Sequence, residues 1–157
     1  MTYARLVQPR GIHPAMANKK VACPRCGEIC DYEFSDHCNL ERLQWYASWL
    51  CLHCNYALEE DGDGALPAEM RQLVLAQDGY WRATIGGPGV GTLGFRRVLR
   101  TLLGLSLREV LAKAKEFPGI LAVGTRAETT CLARQLIEGL KAYPEVPIEV
   151  SIDRVEL

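Results

Sequence analysis

The sequence predicts an α+β fold made of two small units, and three observations support this prediction. Two Cys-x-x-Cys pairs near the N-terminus enclose segments in which apolar and polar residues alternate, as they do in strands. The acidic, glycine-rich segment 59–66 is typical of a linker. Beyond it, short apolar runs alternate with helical patterns, two of which begin with a Ser/Thr-x-x-Glu capping box. We therefore expect an arm over residues 1–20, a cysteine-rich unit over 21–58 and a second domain over 67–157.

The composition favours a folded protein in the cytoplasm. Of the 157 residues, 48% are hydrophobic and 24% are charged, which is enough apolar material for a buried core. No stretch approaches the roughly 20 apolar residues of a membrane span, and the first residues hold no apolar run long enough for a secretory signal. The net charge of -1 gives no argument for nonspecific nucleic-acid binding. We expect a cytoplasmic protein with no membrane partner.

Four of the seven cysteines form two Cys-x-x-Cys pairs, Cys23 with Cys26 and Cys51 with Cys54. This spacing suits a metal better than a disulfide framework, and it indicates a reducing compartment. Zn²⁺ takes four such thiolates in a tetrahedron, which leaves no position open for a catalytic water. We therefore predict a zinc ribbon with one structural Zn²⁺. Because about 40 residues bury little surface, the metal should supply much of the stability, on the order of 10 kcal/mol.

Two strands are predicted inside the ribbon, and further potential ligands lie on or beside them. Apolar and polar residues alternate over 30–34 and again over 43–49. The tryptophans in the second segment are therefore expected in the hairpin core. A second metal, or the replacement of one thiolate, would use Cys30, His37, Cys38 and His53.

The second domain is predicted to place three helices on a sheet of three strands. A helix that begins near Pro67 precedes it and ends before Gly79. The elements that follow are a strand, two helices, a strand, a helix and a strand. Their predicted positions are 80–85, 93–103, 106–116, 120–123, 125–142 and 147–152. A further possible strand, 3–7, lies in the N-terminal arm.

The segment Gly104–Glu109 reads Gly-Leu-Ser-Leu-Arg-Glu, and this motif carries a family resemblance. It is similar to the Gly-Leu-Gly-Leu-Lys-Glu between the first two helices of the C-terminal domain of the bacterial ribosomal stalk protein. With the order of elements, the resemblance covers about half of the chain. The stalk protein recruits translational GTPases through that helix pair, which implies partner contacts by Arg97, Arg100 and Arg108. The chain departs from the family at Leu111, where the family has a factor-contacting lysine, and a zinc ribbon replaces the family's dimerising helices.

These features predict a non-enzymatic bacterial adaptor that binds another protein, with a ribosome or a translational GTPase as the first partner to test. No nucleophile motif is present, and the glycine-rich loop 86–91 lacks the lysine of a phosphate-binding loop. We therefore infer neither an enzyme nor a small-molecule substrate. One alternative is an immunity or antitoxin-like inhibitor, a role that suits small metal-containing chains. Another is a nucleic-acid-binding ribbon that uses Lys19, Lys20, Arg25 and the tryptophans.

Overall fold

The alternating segments around the cysteine pairs form an antiparallel sheet, which we call the N-terminal sheet. A computed structural model describes residues 4–7 and 16–156. The strands of this sheet are β2 (Met16–Ala22), β3 (Ile29–Asn39), β4 (Arg42–Leu50) and β5 (Ala57–Asp63). They lie side by side in sequence order, and each is antiparallel to the next. The two predicted strands are thus the central pair of a four-stranded sheet.

The remaining strands form a second, C-terminal sheet. They are β1 (Arg5–Val7), β6 (Trp81–Gly86), β7 (Gly119–Gly124) and β8 (Glu149–Arg154). Their order is β1-β8-β6-β7, with β6 antiparallel to both neighbours and β1 parallel to β8. The prediction of a three-stranded sheet is wrong, because Arg5–Val7 adds a strand at the edge beside β8 and Leu6 packs on the core.

Four α-helices connect these strands and give the described part of the chain a mixed α+β fold. They are α1 (Ala68–Asp78), α2 (Leu93–Leu103), α3 (Leu107–Lys113) and α4 (Arg126–Leu140). Both predicted capping boxes form, with Ser106 beginning α3 and Thr125 beginning α4. The φ angle of 62° at Gly104 ends α2, a conformation that glycine adopts without strain. The order of elements from β6 onward is the predicted one.

One face of β3 carries the contacts that join the two sheets. Tyr32 and Phe34 are buried with Val74 of α1, while Asp36 and Cys38 further along the same face meet α4. Cys38 forms a disulfide with Cys131 of α4. Since successive side chains of a strand alternate between faces, these even-numbered positions all point to the same side. Both α1 and α4 therefore lie on one face of the N-terminal sheet.

Two predicted boundaries are wrong. Residues 59–66 were expected to be a linker, but Ala57–Asp63 is the edge strand β5, held by pairing with β4 despite its acidic composition. The arm 1–20 was expected to precede the ribbon, but β2 begins at Met16 because Ala17 packs in the core of the N-terminal sheet. The helix α1, which the predicted boundaries assign to the second domain, also packs on this core through Val74. The N-terminal unit is thus larger than 21–58.

The helices are short relative to a lipid bilayer. Within the part of the chain that the structure describes, none of them is long and apolar enough to cross a membrane.

Candidate functional site

The two Cys-x-x-Cys segments fold into matching turns at one end of the N-terminal sheet. One turn connects β2 to β3 and the other connects β4 to β5. The amides of Cys23 and Cys51 each donate to the carbonyl five residues later, at 2.7 Å and 2.8 Å. The residue after each pair, Gly27 or Asn55, has a positive φ and donates to the carbonyl of the first cysteine at 2.8 Å. Glycine and asparagine tolerate that conformation best, so the local sequence selects the turn.

These turns bring the four predicted ligands together. The Sγ atoms of Cys23 and Cys54 are 3.6 Å apart, and those of Cys26 and Cys51 are 3.5 Å apart. All four sulfur atoms lie within 4.8 Å of one another, and none belongs to a disulfide. Four sulfurs bound tetrahedrally at about 2.3 Å from one Zn²⁺ would be about 3.8 Å apart. The predicted convergence is confirmed, and the cluster has the dimensions of a four-thiolate metal site.

Backbone amides around the cluster favour the thiolate form that a metal requires. The amide of Cys54 is the main cause that lowers the pKa of Cys51 to about 6. Burial opposes ionisation of Cys23, but the amides of Arg25 and Cys26 lower its pKa. The Arg25 amide lies 3.4 Å from the Cys23 sulfur. Such donors stabilise negative sulfur at Cys23 and Cys51. At Cys26 the Glu28 amide lowers the pKa, but burial and the neighbouring sulfurs raise it to about 12, and burial also raises the pKa of Cys54.

The alternative ligands do not form a second cluster. Cys30 packs beside Cys23 and Cys51, where burial raises the pKa of its thiol to about 11. Along the strand, His37 lies seven residues from Cys30, a separation of about 23 Å at the rise of a β-strand. Cys38 is bonded to Cys131, which removes it as a ligand. The predicted joint site of Cys30, His37 and Cys38 is therefore wrong.

His53 lies in the second cysteine turn with an exposed side chain, outside the four-sulfur group.

The tryptophans and lysines proposed for nucleic-acid binding make contacts within the protein. Trp45 and Trp49 pack against the core of the N-terminal sheet, as the alternation predicted, and Trp49 meets Tyr32 edge to face at 5.8 Å. Lys19 is paired with Glu69 at 2.7 Å. Lys20 is likewise paired with Asp31 at 2.7 Å. This neutralisation weakens the case for a nucleic-acid-binding ribbon.

The three arginines proposed as a partner-binding surface are exposed on the α2–α3 pair. Arg97 and Arg100 lie on α2, and Arg108 lies in the first turn of α3. Within the described residues, none of the three forms a salt bridge; Arg100 donates instead to the Leu105 carbonyl at 3.3 Å. Leu107 and Leu111 are exposed on α3 beside them. The pair therefore presents cationic and apolar groups together.

A partly buried polar cluster between the two units was not predicted. Glu128 accepts two hydrogen bonds from the Arg71 guanidinium, at 2.6 Å and 2.8 Å, and one from the Thr125 amide at 2.9 Å. The Thr125 hydroxyl also donates to Asp36, whose pKa is raised by burial. The capping box signalled the Thr125–Glu128 pair. Nothing in the sequence signalled the partners Asp36 and Arg71, because they lie 89 and 57 residues away.

The glycine-rich loop 86–91 is explained by packing. A Cβ added at Gly87 would come within 2.8 Å of the Pro147 carbonyl, and one at Gly89 within 2.7 Å of Val146. The glycines therefore allow close backbone approach to the segment before β8.

Comparisons with known proteins add no family to these observations: no family model, no curated protein and no solved structure matches this chain. The resemblance to the ribosomal stalk domain therefore stays a hypothesis.

Proposed function

We propose that this protein is a non-enzymatic adaptor, in which a structural Zn²⁺ held by four cysteines organises the N-terminal sheet and the α2–α3 pair binds an acidic protein. The observation that supports it best is the charge of the helix pair. Residues 93–116 contain six Lys or Arg and two carboxylates, Glu109 and Glu116. Glu109 caps α3 by accepting from the Ser106 amide and Glu116 pairs with Lys113, so neither carboxylate neutralises the arginines.

The proposed zinc role depends on the donor set. Four thiolates prefer soft or borderline metals, and among those Zn²⁺ commonly takes a tetrahedral all-cysteine site. Such a site leaves no position for a substrate or an activated water. When bound, Zn²⁺ would hold the two turns together and would supply no chemistry of its own. The residues that would hold it are Cys23, Cys26, Cys51 and Cys54.

Elemental analysis of the purified chain tests this role. We expect about one zinc per chain in the native protein and in Cys30→Ser, whose thiol lies beside the cluster but outside the four-sulfur group. Cys51→Ser should lose most of the metal. Zinc retained in full by Cys51→Ser, or lost from Cys30→Ser alone, would contradict the assigned ligand set.

The proposed partner is an acidic protein surface, with a translational GTPase or a ribosome-associated factor as the first to test because of the stalk-domain resemblance. Exposed Leu107 and Leu111 would supply apolar contact area, and Arg97, Arg100 and Arg108 would supply charge-assisted hydrogen bonds. Arginine is favoured over lysine at interfaces, since its planar guanidinium forms bidentate hydrogen bonds with carboxylates.

Capture from a bacterial lysate tests the surface. The native chain should recover a defined partner, and Arg97→Glu/Arg100→Glu should reduce that recovery about tenfold or more, since it replaces attraction by repulsion. The matched control is Arg5→Glu/Arg154→Glu, which makes the same charge change at exposed positions outside the helix pair and outside the N-terminal sheet. Equal recovery by native chain and helix-pair variant would remove this surface from consideration.

A further inference from the structure

The outer face of the N-terminal sheet is uncovered in the described part of the chain. Helices α1 and α4 both lie on the opposite face, where they contact the side chains of Phe34 and Cys38. Large apolar side chains are exposed on this outer face and in the adjoining cysteine turn. They include Ile29, Leu50 and, in the adjoining cysteine turn, Leu52, with exposed fractions of 64%, 53% and 85%. An antiparallel sheet commonly leaves one face to solvent, but that face is then polar.

The ionisable groups on this face are mostly acidic. The face carries two basic residues, Lys20 and Arg42, and five carboxylates. Lys20 forms a salt bridge with one of the five, Asp31. The five are Asp31, Glu33, Glu59, Asp61 and Asp63. In the described residues, none of the last four forms a salt bridge. The sheet therefore presents uncompensated negative charge next to exposed apolar groups.

These groups surround a shallow depression close to the cysteine turns. Its volume is about 350 Å³, and its lining includes Leu50 and Ala57 together with three carboxylates, Asp31, Glu33 and Glu59. Register pairs Ser48 with Glu33 on one side and with Glu59 on the other. The two glutamates therefore lie on β3 and β5, on either side of Ser48, and two strand spacings put their Cα atoms about 10 Å apart across the strands. A lysine or arginine side chain has the shape for this arrangement, since its stem covers apolar surface while its charge reaches carboxylates.

We propose that this outer face docks a basic amphipathic segment of a partner protein. Charge complementarity selects the occupant: a nucleic acid or an acidic peptide would be repelled by the unpaired carboxylates, and a purely apolar segment would leave them buried without partners. The exposed leucines and isoleucine would contact the apolar side of the segment. The site shares no residue with the α2–α3 surface, so it stands independently of that proposal and would give the adaptor a second contact of opposite charge.

A labelled 14-residue peptide of alternating lysine and leucine clusters tests the proposal by fluorescence anisotropy, with the glutamate-for-lysine peptide as comparison. The metal-loaded native chain should bind the basic peptide and not the acidic one, with an affinity that falls as salt rises. In Glu33→Gln/Glu59→Gln, which keeps side-chain shape, the affinity should fall at least tenfold. The matched control, Glu145→Gln/Glu156→Gln, removes two exposed carboxylates elsewhere and should bind like the native chain.

Backbone amide shifts in NMR spectra locate the bound peptide, and they should change on β3, β4 and β5. Both variants must first show native zinc content and native spectra, which exposed Glu-to-Gln changes should preserve. Absence of peptide binding at low salt, equal affinity for Glu33→Gln/Glu59→Gln, or shifts confined to other elements would each overturn the proposal. Self-association of the native chain that both Glu33→Gln/Glu59→Gln and Arg97→Glu/Arg100→Glu abolish would also overturn it, by identifying a second copy as the occupant.

Discussion

The two sheets of this protein differ in how much apolar surface supports them. In the described residues, the core of the C-terminal sheet contains sixteen buried apolar residues, whereas the main core of the N-terminal sheet contains six. The covered face of the N-terminal sheet also includes polar groups, such as Lys19 and Asp36. A small core rarely offsets the conformational entropy lost on folding. The N-terminal sheet thus combines a small core with a disulfide and a four-cysteine cluster, whereas the C-terminal sheet is supported by a larger packed core.

Metal removal should have the largest effect, and it should destabilise the N-terminal sheet much more than the C-terminal sheet. In Cys51→Ser, or after chelation, we expect amides of β3 and β4 to lose most of their protection from hydrogen exchange while those of β6 and β8 keep theirs. A structural site of this type contributes on the order of 10 kcal/mol, more than the N-terminal core can replace. Hydrogen exchange read by mass spectrometry measures both regions at once, with Cys30→Ser as the control. An equal loss of amide protection in the two sheets would contradict this difference in how they are stabilised.

Loss of the Cys38–Cys131 disulfide should have the next largest effect. The bond joins residues 93 positions apart, and the chain-entropy model assigns about 4.6 kcal/mol to a loop of that length. Cys38→Ser/Cys131→Ser should therefore lower the free energy of unfolding by up to that amount, measured in denaturant. Thiol counting by alkylation and mass verifies that the native chain is oxidised. An unchanged unfolding midpoint would show that the other contacts between β3 and α4 suffice.

Truncation of a side chain in the C-terminal core should lower the free energy of unfolding somewhat less than loss of the disulfide does. Leu136 on α4 is fully buried, and Leu136→Ala removes packing and leaves a cavity, which costs about 3 kcal/mol. The matched control is Leu52→Ala in a cysteine turn, whose side chain is 85% exposed and should change stability by less than about 0.5 kcal/mol. Denaturant unfolding of both variants gives the values. Similar costs at the two positions would contradict the description of the C-terminal core.

The smallest effect should come from the ion pair between the units. Burial opposes ionisation of Glu128, but Arg71 and the Thr125 amide lower its pKa. Its stabilisation is therefore fully present above the unfolded-state value of 4.5 and is lost as pH falls through the lower folded-state value. Glu128→Gln keeps a capping side chain, so it removes mainly the charge. At neutral pH we expect a loss of about 1 kcal/mol, since the Arg71 side chain is 35% exposed.

Unfolding of native chain and Glu128→Gln across pH measures this contribution. The difference between them should shrink as pH falls below about 4.5. A difference that stays constant with pH would mean that Glu128 acts through hydrogen bonds alone.

Local features of the fold could be predicted because their causes are local. The capping boxes at Ser106 and Thr125 form because each hydroxyl satisfies an amide three residues away. The cysteine turns form because Gly27 and Asn55 accept positive φ angles. The edge strand β5 was missed because its acidic sequence disfavours a strand, and only pairing with β4 overrides that preference. The strand β1 belongs to the C-terminal sheet through a partner more than a hundred residues away.

The helices, the cysteine turns and the four converging cysteines could be predicted from the sequence alone, since each follows from spacing within a few residues or from a repeated turn. The long-range contacts became known only from the fold: α1 covers the N-terminal sheet, Cys38 meets Cys131, and Arg71 reaches Glu128. The tertiary structure also leaves one face of the N-terminal sheet uncovered by the described residues. The physical reason is that side-chain alternation fixes two faces for every strand, but which face is buried depends on where distant helices dock.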